Sequence, residues 1–192
     1  MTEKQIEKIK LRIRKYKNAL AADKRKWGGY YHDGSGIRYV IPAEYIKIND
    51  FEGGLKYLKW FDKNFPDDIG HPFFLFESTF ILFKNNKLKE AEKKLYTTYF
   101  SNIYLIDNFL GKEPKLIDKY ESSTWESINI LDKFTYSQTN PQFNEFTIWV
   151  ESILESNDFQ EKLSEYININ KLLLTEPVGE QRSKLVERLS KL

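Results

Sequence analysis

Apolar residues recur at steps of three and four along most of this chain, the period of a helix that buries one face. Between residues 3 and 26 the positions Ile6, Ile9, Ile13, Tyr16 and Leu20 keep that step, and basic residues cover the other faces. The run stops at WGGYYHDGSGIRY, where four glycines with Asp33 and Ser35 spell a loop. A second helix is expected over about 38–48, opened by Pro42 near its first turn. Asn49 and Asp50 turn the chain into a third, over about 52–65, which FPDDIGHP ends.

The alternation of helix and turn continues. The pattern predicts helices over 73–84 and 88–100, separated by the turn NNK. SNIYLIDNFLG predicts a short helix with Ser101 as its N-cap and Gly111 just past its end. KEPKLIDKYESS is the least regular stretch, and helical spacing returns in Trp125, Ile128, Leu131 and Phe134. Pro141 opens a helix to about Ser156, ND at 157–158 turns, and Phe159 to Leu174 forms its partner. After Pro177 a last helix carries Val178, Leu185, Val186 and Leu189. Alternating β patterns are nearly absent, so the expected fold class is all-α.

Three windows share a frame: NDFEGGLKYL (49–58), NKLKEAEKKL (86–95) and NDFQEKLSEY (157–166). Each starts with Asn, has an apolar residue two positions on and ends on a large one. The fifth residue past the Asn is Gly54, Ala91 or Lys162, and a fainter copy places Ser127 four residues before Leu131. Positions 54, 91, 127 and 162 lie 37, 36 and 35 residues apart, the period of a helical hairpin.

In these features the chain resembles the tetratricopeptide repeat family, whose period is about 34 residues. Gly54, Leu58 and Pro66 stand where that family has a small residue, a large residue and a closing proline, with Tyr45 near its first-helix aromatic position. The resemblance implies stacked antiparallel hairpins forming a short α-solenoid over 37–174. Residues 1–27 and 178–192 would cap it, within one domain of residues 1–192. A small Gly54 would let two helices cross closely, offsetting the roughly 1 kcal/mol that glycine costs a helix. Gly53 has no place in that register and is expected only to ease the turn.

The family likeness also implies a concave surface lined by the first helix of each hairpin, suited to an extended peptide or partner helix. The residues expected to face it are Tyr39, Lys47, Phe76, Phe80, Lys84, Thr147, Glu151 and Glu155. The implied function is non-enzymatic recognition of a protein partner.

Composition changes this picture little, and charge changes it more. Charged residues make up 30% and the hydrophobic set 41%, with aromatics heavy at 16%. Residues 1–26 hold ten Lys or Arg against three acids, 10 − 3 = +7, so the remainder is 2 − 7 = −5. The basic helix has two readings: the solvated side of a packed helix, or a patch binding nucleic acid or an acidic surface through Lys8, Arg12 and Lys15. There is no cysteine, which excludes disulfides, thiolate metal sites and cysteine nucleophiles. No apolar run has the length of a membrane span and MTEKQIEKIK lacks a signal-peptide core, so a cytoplasmic protein is expected.

Chemistry is sparse. His32 and His71 are 39 residues apart, without a partner at metal-ligand spacing. GGYYHDGSG follows no strand and fits neither a dinucleotide fingerprint nor a phosphate-loop lysine motif. No cofactor or metal is expected, and the one place left for catalysis is Tyr31 and His32 beside Asp33 and Ser35.

Overall fold

The computed structural model describes residues 1–121 and 123–192; Ser122, within the irregular stretch, lies outside the described residues. The described residues contain helices and no strand. They divide into two compact units, Met1–Ala91 and Glu92–Leu192.

The first unit holds α1 (Glu3–Lys26), α2 (Ile37–Lys47), α3 (Phe51–Asn64) and α4 (Pro72–Lys84). A capping box between Thr2 and Gln5 starts α1. Asp50 caps α3 through the Gly53 N–H at 2.9 Å. His71 caps α4, with Pro72 in the first turn, where its missing N–H costs nothing. The second helix packs against α1, α3 and α4. It is accordingly buried on several sides, at Ile41, Pro42, Glu44, Tyr45 and Ile46.

Pro42 is not in the opening turn. The helix begins at Ile37, so the proline is its sixth residue and removes the N–H that would pair with the Arg38 carbonyl four residues back. The Tyr57 hydroxyl, from α3, donates to that carbonyl at 2.7 Å. A part-buried carbonyl left unpaired would be costly, so Pro42 and Tyr57 form a matched pair across two helices.

The two glycines of α3 play different parts. A Cβ on Gly54 would lie 3.0–3.3 Å from the side chain of Ile81 on α4, a close approach a small side-chain shift would relieve. A Cβ on Gly53 would lie 2.3 Å from Asp50 Oδ2 and 2.6 Å from the Tyr45 ring. Neither neighbour can move freely, because Asp50 is the N-cap and the Tyr45 hydroxyl accepts a hydrogen bond from Lys17 at 2.7 Å. Gly53 is therefore required by packing and not merely by the turn.

From α5 (Leu88–Ser101) the chain passes into the second unit, which adds α6 (Leu105–Phe109), α7 (Asn144–Leu154), α8 (Asn157–Thr175) and α9 (Glu180–Leu189). Two expectations fail here. Ser101 is the last residue of α5 and not a cap; its hydroxyl bonds back to the Thr98 carbonyl, and α6 spans five residues only. Trp125 to Phe134 forms 3-10 turns, Thr124–Glu126 and Ile128–Lys133, with Ser127 an N-cap between them and not a helix-interface residue. Buried Asn102 fastens this segment: its amide donates to the Trp125 and Ser127 carbonyls at 2.8 and 3.0 Å, and its oxygen accepts from the Tyr104 N–H. Around it an aromatic core joins Tyr96, Tyr99 and Phe100 to Phe159 and Tyr166.

Two stability measurements follow from the first unit. Gly53→Ala is expected to lower the unfolding free energy by about 1–3 kcal/mol, while Gly54→Ala stays near neutral because regained helix propensity of about 1 kcal/mol offsets a mild contact; urea unfolding of both would decide. Tyr57→Phe is expected to cost about 1–3 kcal/mol by orphaning the Arg38 carbonyl, and clearly less in a Pro42→Ala background, where a restored N–H reaches the same oxygen. Equal costs in the two backgrounds would break the pairing.

Candidate functional site

The residues with chemical promise gather in the first unit, around the loop after α1 and the turn before α4. Asp23 accepts the backbone N–H groups of His32 and Asp33 at 2.7 and 3.0 Å, which holds its carboxyl below the usual range. Asp33, itself buried, accepts the Ile37 and Arg38 N–H groups at the start of α2, both at 3.0 Å. The Arg38 guanidinium then lies 3.1 Å from Asp33 and 2.8 Å from Asp68. Burial works against the charge on Arg38, but the Asp68 hydrogen bond and nearby anions outweigh it and raise its pKa.

Tyr39 completes the cluster. Its hydroxyl donates to Asp68 at 2.7 Å and accepts from Arg38 at 2.8 Å, and burial followed by the Asp68 bond pushes its pKa up to about 12. Its ring meets His71, Phe61 and Phe74. In this cluster Asp33 caps a helix, and Arg38 joins it to the turn at Asp68. It works as a clasp, a half-buried ion-pair network that ties the loop after α1 to the turn before α4.

The Tyr31 and His32 rings point to different neighbours. The His32 ring is exposed and stacks on Trp27 at 4.8 Å, while Tyr31 turns to Trp60 and Phe65. Ser35 Oγ faces Asp33 at 3.4 Å. Nucleophile, base and orienting carboxylate are thus not brought into line. Among the described residues, no group of three or more His, Cys, Asp or Glu side chains could hold a metal ion, and no helix is long and apolar enough to cross a membrane.

The expected groove residues require correction. Phe76 and Phe80 are 0% exposed, and Thr147 is 9% exposed, so these three belong to the interior and do not face a solvent groove. Nearly every position of α4 is apolar or small, so the helix buries several sides at once. Tyr39 lies within the clasp. Lys47 is exposed but pairs with Glu44 at 2.8 Å, and the exposed Lys84 lies over the Phe51 ring. In the second unit Glu151 lies 3.5 Å from Lys112, and Glu155 is exposed.

The basic patch divides. Arg12 Nε lies 2.9 Å from the buried Glu44 Oε2, held by charge without an aligned hydrogen bond. Glu44 therefore takes up both Arg12 and Lys47, one cation from each sequence-based surface. Lys8 and Lys15 are exposed, as is Arg14, and no ion pair engages these three among the described residues. Beside this helix lies a cleft of about 230 Å³. The rings of Tyr31, Tyr57 and Trp60 line it with Leu20 and Ala21, and Lys17 and Lys56 add ammonium groups. No sequence pattern marks it, because its residues come from α1, the loop and α3.

His71 offers a pH test of the clasp. Its Nδ1 accepts the Phe74 N–H at 3.3 Å, a role only an unprotonated nitrogen can fill, and burial lowers its pKa from 6.5 to about 4 despite nearby Asp68. The unfolded chain binds the proton first, so this contribution is full above pH 6.5 and is lost as pH falls toward 4, by at most about 1.4 kcal/mol per pH unit. His71→Asn, which keeps a capping oxygen, is expected to flatten that part of the stability profile in urea unfolding at stepped pH. An unchanged slope would assign the loss to other groups.

Compared with known proteins, the chain matches no family model, no curated protein and no solved structure.

Proposed function

We propose that this protein is a non-enzymatic helical module, with hairpins like those of the tetratricopeptide repeat, that recognises a polypeptide partner on the outer side of its basic first helix. The observation that carries this reading is a division of labour in the first unit. His71, the aspartates at 23, 33 and 68, Arg38 and Tyr39 are spent on the loop and helix caps, whereas Lys8, Arg14 and Lys15 of α1 are left exposed, with no ion pair among the described residues. Polar groups locked in structure serve catalysis poorly, and unpaired surface cations serve recognition well.

Charge supports the same reading. The first unit carries 18 basic and 12 acidic residues, 18 − 12 = +6, and the second 12 and 16, 12 − 16 = −4. A partner for the first unit is therefore acidic. The α2–α3 hairpin and the close approach of Gly54 to Ile81 support the likeness to the repeat family. A second reading, nucleic-acid binding, rests on the same three cations.

The test is capture from the native lysate at two salt concentrations, with and without nuclease, using the wild type and Lys8→Glu with Lys15→Glu. A polypeptide that survives nuclease and falls at least about tenfold in the double variant is the expected result. Material lost with nuclease, and released steeply by salt, would replace it with the second reading. Lys47→Ala, whose ammonium already serves Glu44, is expected to leave capture unchanged.

A further inference from the structure

We infer that the cleft between α1 and α3 receives a single aromatic side chain, Phe, Tyr or Trp, from an acidic segment of the partner; this rests on the polypeptide reading above and names the anchor. Size points first to a side chain. At about 230 Å³ the cleft is smaller than the roughly 300–1,000 Å³ of sites that hold cofactors or drug-sized molecules. Its walls suit an aromatic ring. Trp60 stacks on Tyr57 at 5.3 Å and meets Tyr31 edge-on at 5.6 Å, so a guest ring would extend an existing aromatic cluster.

The polar groups choose the flanks of that guest. The lining contains no carboxylate. It carries the ammonium groups of Lys17 and Lys56 and the donor N–H and O–H of Trp60 and Tyr31. Lys17 is held in place, hydrogen-bonded to the Tyr45 hydroxyl and lying over the Tyr45 and Tyr57 rings. The Lys24 ammonium lies over the Tyr31 ring. A site of fixed cations and unanswered donors favours a guest rich in acceptors. An open hollow of about 360 Å³ adjoins the cleft through Lys17 and adds Lys10 and Arg14. Its one carboxylate, Asp50, is engaged in capping α3. Acidic residues beside the anchor would run along this hollow.

The experiment uses the full chain and labelled decapeptides of Asp and Glu with one central Phe, Tyr or Trp, read by fluorescence anisotropy. The controls are the same peptide with a central Ala and a single-stranded oligonucleotide. At least one aromatic peptide is expected to bind about tenfold or more tightly than the Ala peptide. Lys56→Glu is expected to weaken it by a similar factor, while Lys63→Glu, an exposed charge outside the cleft on the same helix, changes it less than about twofold. Trp60→Leu should also weaken binding, but Lys56→Glu is the deciding variant because its exposed position leaves the core intact. Equal binding of the Ala peptide, equal damage from Lys63→Glu, or no peptide binding up to about 1 mM would overturn the inference. If capture of a polypeptide still depended on Lys8 and Lys15, the broader reading would stand without the cleft. An oligonucleotide bound more tightly than every peptide, with no effect of Lys56→Glu, would remove both.

Discussion

A proline inside a helix that is packed by three others is the constraint around which the first unit is built. Pro42 leaves the part-buried Arg38 carbonyl without its intrahelical partner. The Tyr57 hydroxyl meets that need and so sets where α3 lies against α2. The same residue 38 is also capped at its N–H by Asp33 and tied by its guanidinium to Asp33 and Asp68. One backbone position thus links the loop after α1, the start of α2, the body of α3 and the turn before α4. Burial of Tyr57 raises its hydroxyl pKa strongly, in keeping with a neutral donor.

This clasp explains why a glycine-rich loop holding histidine, aspartate and serine need not be a catalytic loop. The carboxylates of that loop region and His71 are positioned by what they do for the fold, and the His32 ring stays exposed against Trp27. Asp23 fixes the loop backbone, Asp33 starts a helix, and His71 starts another. Geometry useful to chemistry requires groups aimed at a shared point, and here they are aimed at backbone N–H groups. The same logic sorts the cations: Arg12 and Lys47 answer the buried Glu44, and what lies beyond that demand remains at the surface.

The second unit meets a different difficulty, a long segment whose described residues form only short 3-10 turns between α6 and α7. A buried side-chain amide does the work of a helix there, with Asn102 satisfying two carbonyls and one N–H. Lys119 has a side chain only 2% exposed and lies within 3.5 and 3.7 Å of Glu121 and Glu126, adding a second fastening. Gln138 joins the end of the segment to α6, its backbone N–H bonding the Phe109 carbonyl and its amide the Leu110 carbonyl. Irregular backbone persists only where such partners exist.

Helix existence was legible in the sequence because the 3.6-residue period is a local property: α1, α3, α5, α7 and α8 lie within a few residues of where spacing puts them. Strict steps of three in Trp125, Ile128, Leu131 and Phe134 match the 3-10 period, a signal the spacing held but an α reading passed over. Other features depended on atoms distant along the chain. Gly53 is required by a tyrosine ring eight residues earlier and by a cap geometry, and Pro42 is tolerated because of a hydroxyl fifteen residues later. Phe76 and Phe80 could not be assigned a side, because a helix apolar on every face carries no period that marks solvent. The cleft was illegible for the same reason as the clasp. Residues 17, 31, 56 and 60 meet only once packing has fixed α1 and α3 on α2, and no local pattern records that meeting.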